Sequence, residues 1–235
     1  MIRKMLLAGS LLWITGLCLQ AQEVVIAEDL RGDTLVAEFG MNRKHYLHSF
    51  LGAHFSSGTA DDPRGDVSMG NSWTLEYGFR YKRRFSQVFS GGLETSLKRA
   101  SYHPDQFLLP DLAEEYTYKR EKFVFLSLGM AAYQRINYGK RGNYIGRFVD
   151  VGLYGDLHYN LRQIIRYSGT DDHLRLRRSR MDIHHLFEYG VLARVGFNNF
   201  VIKGTYRLSE IFTAQSGLAE FPRFKLGLEI GIHPL

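Results

Sequence analysis

Six carboxylates and six cations occupy alternate positions in segments whose other residues are largely apolar: Glu76 and Arg80, Glu94 and Lys98, Asp150 and Asp156, Glu188 and Arg194, Lys203 and Arg207, Lys225 and Glu229. In extended chain, side chains two residues apart share a face, so this spacing gathers acids and bases on one side. Interleaved charges of both signs can neutralise one another in a narrow interior. That is the chemistry of a buried ion network.

Catalytic constellations are weaker. A serine hydrolase needs a serine and a histidine on one face, oriented by an acid. His48 and Ser49 are adjacent, so in a strand they point to opposite faces. Paired acids with a His–Asp couple at a rim would suit a surface protease, and Asp61-Asp62 and Asp171-Asp172-His173 offer these types. Beside Pro63, Gly65 and Gly169 they read as turn residues. His184-His185 also point opposite ways in a strand, which is poor metal geometry. No catalytic, cofactor-binding or metal-binding residue is therefore expected. Arg162, Arg166, Arg175, Arg177, Arg178 and Arg180 make a dense basic run, and Arg175, Arg177, Arg178 and Arg180 are the expected contacts to anionic phosphates.

The elements that position these residues are strands. From Asn71 to Arg83, Trp73, Leu75, Tyr77, Phe79 and Tyr81 alternate with Thr74, Glu76, Gly78, Arg80 and Lys82. Phe200–Ser209 and Phe224–Ile232 repeat the pattern, and Lys44–Ser56, Val88–Ser101, Lys122–Tyr133, Gly146–Asn160 and His185–Phe197 do so less cleanly. Eight strands of about 10 to 14 residues result, against about 9 to 11 needed to cross a bilayer at a tilt. The connections alternate long (57–70, 102–121, 161–181, 210–222) and short (84–87, 137–143, 198–199). Asn198-Asn199 can supply the positive φ angles of a two-residue hairpin.

The 235 residues include 24 glycines and only 5 prolines, with 30 Tyr and Phe together. The mean hydropathy of −0.22 and the lack of an 18-residue apolar run past the N-terminus exclude a helical membrane protein. Half-apolar strands remain compatible with a membrane β-barrel. Residues 1–21 read as a secretory leader: Arg3 and Lys4, the apolar Met5–Leu19, then Leu19-Gln20-Ala21 before the cut. Its removal takes away Cys18, the sole cysteine, and with it thiol chemistry and disulfides. It leaves 28 basic against 24 acidic residues, a formal charge of +4, which suits anionic surfaces and is no argument for nucleic acid. Residues 22–43 are expected to form a short periplasmic segment, or to add a short strand, before a domain at 44–235.

Apolar-out orientation is expected for three reasons. The polar face carries balanced charge. It also carries Gly78, Gly92, Gly152, Gly190, Gly227 and Gly231, as a narrow interior requires. Aromatics gather at strand ends, as in membrane girdles: Trp73, Tyr81, Phe89, Tyr144, Tyr159, Phe197 and Phe200. On these residues the chain resembles the small outer-membrane barrels of the OmpA/OmpX type and, more narrowly, is similar to the PorT-like outer-membrane barrel proteins over residues 44–235. Lys225, Gly227, Ile230 and Ile232 fit the last-strand signal that the barrel-insertion machinery reads, although His233-Pro234-Leu235 replaces the usual aromatic end.

The expectation is an all-β, eight-stranded antiparallel up-and-down transmembrane β-barrel in the outer membrane with periplasmic termini. The resemblance implies a non-enzymatic structural or accessory subunit of a surface or secretion assembly. Its partners would be outer-membrane lipid, lipopolysaccharide, the insertion machinery and a protein met through loop 102–121. Two alternatives stay open: an outer-membrane hydrolase acting on lipid A or peptides at the extracellular rim, and a soluble exported lipocalin-like ligand carrier.

Overall fold

The computed structural model describes residues 40–57, 59–105, 117–139, 142–168, 173–179 and 183–233. The expected leader at 1–21 and most of the expected segment 22–43 lie outside them. Nine strands are described: β1 (His45–Ser57), β2 (Trp73–Arg84), β3 (Phe89–Tyr102), β4 (Thr117–Tyr138), β5 (Arg147–Ser168), β6 (His173–Ser179), β7 (Phe187–Phe197), β8 (Phe200–Arg207) and β9 (Phe224–Ile232).

Every pairing is antiparallel. The sheet runs β4-β3-β2-β1-β9-β8-β7-β5, and pairing of β4 with β5 closes it into a ring of eight strands. β6 stands outside the ring, zipped to the far end of β5 from Arg162↔Ser179 to Ser168↔His173. The basic stretch read as a connection over 161–181 is thus mostly a hairpin, and β4 and β5 reach 22 residues each, well beyond the lengths expected. Connections 58–72, 103–116 and 208–223 share one end of the ring with the β5–β6 hairpin, here termed the loop end. Connections 85–88, 139–146 and 198–199 occupy the opposite, turn end. At the 198–199 turn only Asn198 takes a positive φ, of 50°, where both asparagines were expected to. Strand β7 starts at Phe187, so His184 and His185 do not begin it; His184 instead forms an isolated bridge with Phe212.

Burial alternates strictly along β2, β7 and β9, and the buried set is the polar one. Leu75, Tyr77 and Phe79, Val151 and Leu153, and Leu226, Leu228 and Ile230 stand exposed on the outside. The outer apolar band on β7 runs from Phe187 to Phe197. Ten rises of about 3.3 Å, at a tilt of about 40°, give a height of about 25 Å.

On β3, β4 and β5 the two faces exchange character toward the loop end. The inner face of β4 is polar at Ser127, Arg135 and Asn137 but apolar at Phe123 and Phe125. In β5 a register shift between Leu126 and Ser127 of β4 leaves Tyr159 unopposed. This bulge moves the inward set from Asp150, Tyr154, Asp156 and His158 to Leu161, Gln163 and Ile165. Arg162 and Arg166 are thereby turned outward. The loop-end extension is built like an ordinary water-soluble sheet, apolar inside and charged outside, whereas the ring below has the opposite polarity.

Candidate functional site

The inner face assembles an extended ion network from Arg135 to Asp156, with two separate pairs beside it. Arg135 donates to Asp150 through Nε at 2.7 Å and Nη2 at 2.9 Å. Arg194 links Asp150 at 3.5 Å to Glu94 at 2.6 Å. Arg80 joins Glu94 at 2.8 Å to Glu229 at 2.6 Å. Lys203 Nζ lies 2.8 Å from Glu76, 2.9 Å from Glu229 and 3.4 Å from Glu94. Lys98 carries the chain to Asp156 at 2.7 Å, with Glu76 at 3.7 Å. Lys225 and Glu188 pair at 3.5 Å. Arg207 lies at the loop-end edge, where Nη1 reaches Glu220 at 2.6 Å and Nη2 donates to the Phe221 carbonyl at 2.6 Å.

All twelve residues expected on the polar face thus point into the ring, and eleven of the twelve pair with other members of the set. Arg207 is the exception, because its partner Glu220 sits in the connection 208–223. The network also holds Arg135, which pattern reading missed. Its strand β4 changes inner-face character between Phe125 and Ser127, so no single alternation runs its length. Facing rings support the guanidinium groups: Arg80 lies 4.4 Å from the centroid of Phe50, and Arg135 3.5 Å from that of Phe148. Room for this filling comes from glycine. A Cβ on Gly190 would lie 2.2 Å from the Tyr206 carbonyl and 2.7 Å from the Tyr154 ring.

Apolar clusters cover the network at both ends. Tyr102, Phe123, Phe125, Leu161, Phe212 and Phe221 pack at the loop end, and Tyr46, Ile145, Phe148 and Val201, with Met41 against them, at the turn end. The spaces between are small. A cavity of about 20 Å³ touches His54, Glu76, Lys98 and Lys203, and one of about 10 Å³ touches Ser127, Asp156, His158 and Glu188. Each is about the size of one water.

Ser127 Oγ lies 2.6 Å from His158 Nδ1, and His158 Nε2 lies 3.3 Å from Glu188. The atom types match a serine–histidine–acid triad, and sequence spacing could not reveal it because three different strands contribute. All three are buried, and the adjoining cavity has no space for an acyl group. His48 and Ser49 do sit on opposite faces, with His48 buried inside. Asp61 pairs with Arg223 at 3.0 Å, and Asp62 caps the turn at Pro63–Gly65 through the Arg64 amide at 2.9 Å. Asp171 and Asp172 lie outside the described residues.

His54, Glu76 and Glu229 come close enough to be weighed as metal ligands. The imidazole stands between the carboxylates, Nδ1 3.7 Å from Glu76 and Nε2 3.7 Å from Glu229. Lys203 Nζ already holds both acids, at 2.8 Å from Glu76 and 2.9 Å from Glu229, so its ammonium supplies the positive charge there.

Of the expected phosphate contacts, Arg177 is exposed on β6, Arg175 stands across from Arg166 in the register, and Arg180 lies outside the described residues, as does the side chain of Arg178. The last-strand residues divide by face: Lys225 and Gly227 inward, Ile230 and Ile232 outward and about half exposed. Strand β9 closes the ring by pairing with β1 from Ser57↔Phe224 to Ser49↔Ile232. Loop 102–121 is described only to Asp105 and from Thr117.

No protein-family model matches the chain, and a search of curated proteins finds no significant match. The functional reading therefore rests on the geometry and on the resemblance noted above.

Proposed function

We propose that the chain is a non-enzymatic eight-stranded β-barrel of a bacterial outer membrane, with its turn end in the periplasm and its loop end outside. The observation that carries this reading is the reversal of polarity along β3, β4 and β5. A band about 25 Å high is apolar on the outside and charged within, and above it the faces exchange. An aqueous protein has no reason to expose Leu93, Met130, Val151, Leu153 and Leu228 together while burying Arg80, Arg135 and Arg194. A bilayer around the band accounts for both choices. Exposed aromatics mark its two edges: Phe55, Tyr159, Phe187 and Tyr206 above, and Tyr138, Tyr144, Phe197 and Phe200 below.

The filled interior supports a structural role over conduction, since water-filled channels need wider rings. It also counts against a lipocalin-like carrier, which needs an empty interior, and against a hydrolase centred on Ser127. The role as an accessory subunit of a surface or secretion assembly is what the likeness to PorT-like barrels implies. The pairing of β9 with β1 suits a last strand handed over by the insertion machinery.

The reading is tested by expressing the chain in a diderm bacterium, isolating outer membranes and comparing gel migration with and without boiling. Recovery in that fraction with a boiling-dependent shift is expected. Recovery in the soluble periplasmic fraction, with no shift, would overturn it.

A further inference from the structure

Strands β4 and β5 rise beyond the apolar band, and their outward face is strongly basic. In the register Arg120 faces Arg166, and Arg166 faces Arg175 of β6. One step lower, Lys122 faces Ile164 and Ile164 faces Arg177; lower again, Val124 faces Arg162; last, Arg99 faces Leu126. Arg99, Arg120, Lys122, Arg162, Arg166 and Arg177 line a cleft of about 280 Å³, floored by Val124, Leu126 and Ile164. Among the described residues no carboxylate lines it. Among the described residues no ion pair engages Arg120, Arg162, Arg166 or Arg177, and Glu121, the nearest acid in sequence, points inward to Gln163.

Like charges set directly across a strand pair destabilise the sheet. Arg120 and Arg166 keep that arrangement, so an anion between them would turn a cost into a clamp. Guanidinium groups suit phosphate in particular, because their planar fork donates two parallel bonds. The local potential agrees. Burial, with Arg120, Lys122 and Arg166 close by, pushes His103 in the same cleft down to about 4.

Height selects the ligand. The band ends on β4 and β5 at the exposed pair Leu128↔Leu157. Counting about 3.3 Å per residue at a tilt of about 40°, Arg99 sits about 5 Å above this edge, Arg162 about 10 Å, and Arg120 and Arg166 about 20 Å. A simple phospholipid headgroup layer is only about 5 to 8 Å thick. The ladder of cations is taller than one phosphate can use, while its apolar floor adjoins the acyl region.

We propose that this cleft binds the headgroup of an outer-leaflet glycolipid bearing phosphates at more than one height above its acyl chains. The proposal rests on the membrane reading above and adds a defined lipid site to it. The site lies on the ring's outer wall rather than on the loop tip around Arg178 and Arg180.

The test uses the full mature chain refolded in detergent, with heat-modifiability checked first. Binding is measured for three probes: a bisphosphorylated hexa-acyl glycolipid, phosphatidylcholine and inorganic phosphate. Wild-type protein is expected to retain the glycolipid selectively. R120Q/R166Q is expected to keep the heat shift but to lose affinity about tenfold or more. R43Q/K44Q, with the same charge change at the exposed turn end, is expected to bind like wild type. A folded wild type without selectivity, equal loss in both double variants, or equal binding of inorganic phosphate would each overturn the lipid site while leaving the barrel intact. Absence of the heat shift in wild type would overturn the membrane reading and the site with it.

Discussion

Replacing Leu153 by arginine separates a membrane wall from an aqueous one. Leu153 is 64% exposed, at the middle of the band that β5 carries from Val149 to Leu157. Across the sheet it faces Ala132 on one side and Val191 on the other, and no acid stands directly opposite it. On a protein in water, a substitution at so exposed a position changes stability by about 0.5 kcal/mol or less. At a bilayer midplane an outward arginine costs about 2 to 4 kcal/mol, falling to about 0 to 1 kcal/mol at the interface. Tyr159 lies six residues further on, about 15 Å higher at the same rise and tilt. Leu153→Arg is therefore expected to destabilise strongly and Tyr159→Arg weakly. The assay is urea-dependent folding of residues 22–235 into phosphatidylcholine vesicles, followed by fluorescence of Trp73, the one tryptophan in that range. Equal, near-zero effects at both positions would refute the reasoning, since they would mean that the apolar face meets water.

Other consequences follow from the interior. Glu229→Gln removes a carboxylate held by Arg80 and Lys203 at 2.6 and 2.9 Å, so urea titration should show a loss of about 3 to 5 kcal/mol. Adding Lys203→Met should recover part of that loss, and strict additivity would show that the pair is not coupled. Gly190→Val places methyl groups where the Tyr206 carbonyl and Tyr154 ring already sit, so the boiling-dependent gel shift should disappear; an unchanged shift would deny the tight interior. His103 titrates near 4 when folded and near 6.5 when unfolded. The unfolded chain then binds the extra proton, and stability should fall as pH drops from about 6.5 to about 4, a dependence that His103→Gln should flatten in pH-dependent melts.

Much of the ring was legible because its strands obey a single alternation. In β2 and β9 one face reads apolar and the other polar, β8 departs from this only at Val201, and the connection lengths alternate as the two ends require. β4 and β5 were harder for a physical reason. Each crosses from one surrounding to another, so Phe123 and Phe125 point inward above while Arg135 points inward below. The bulge at Tyr159 shifts the parity of β5 at the same level. A period-two reading averages over such a change and sees a mixed face, which hid Arg135 and recorded Arg162 and Arg166 only as part of a basic run. The Ser127–His158–Glu188 contacts and the insertion of His54 between two acids join separate strands, and spacing within a strand cannot report them. Hairpin β5–β6 carries arginines alternating with Leu174 and Leu176, yet nothing local distinguishes a zipped extension from a loop.

The central claim is that the polarity reversal along β4 marks the edge of a bilayer. It is tested most directly by nitroxide labels placed singly at outward positions 122, 126, 130, 134 and 138 of the chain folded into vesicles. Relaxation is compared in oxygen and in a water-soluble nickel chelate. The account predicts oxygen-dominated relaxation at 130 and 134, crossover near 126 and 138, and chelate-dominated relaxation at 122. Uniform access of the chelate at all five positions would contradict it.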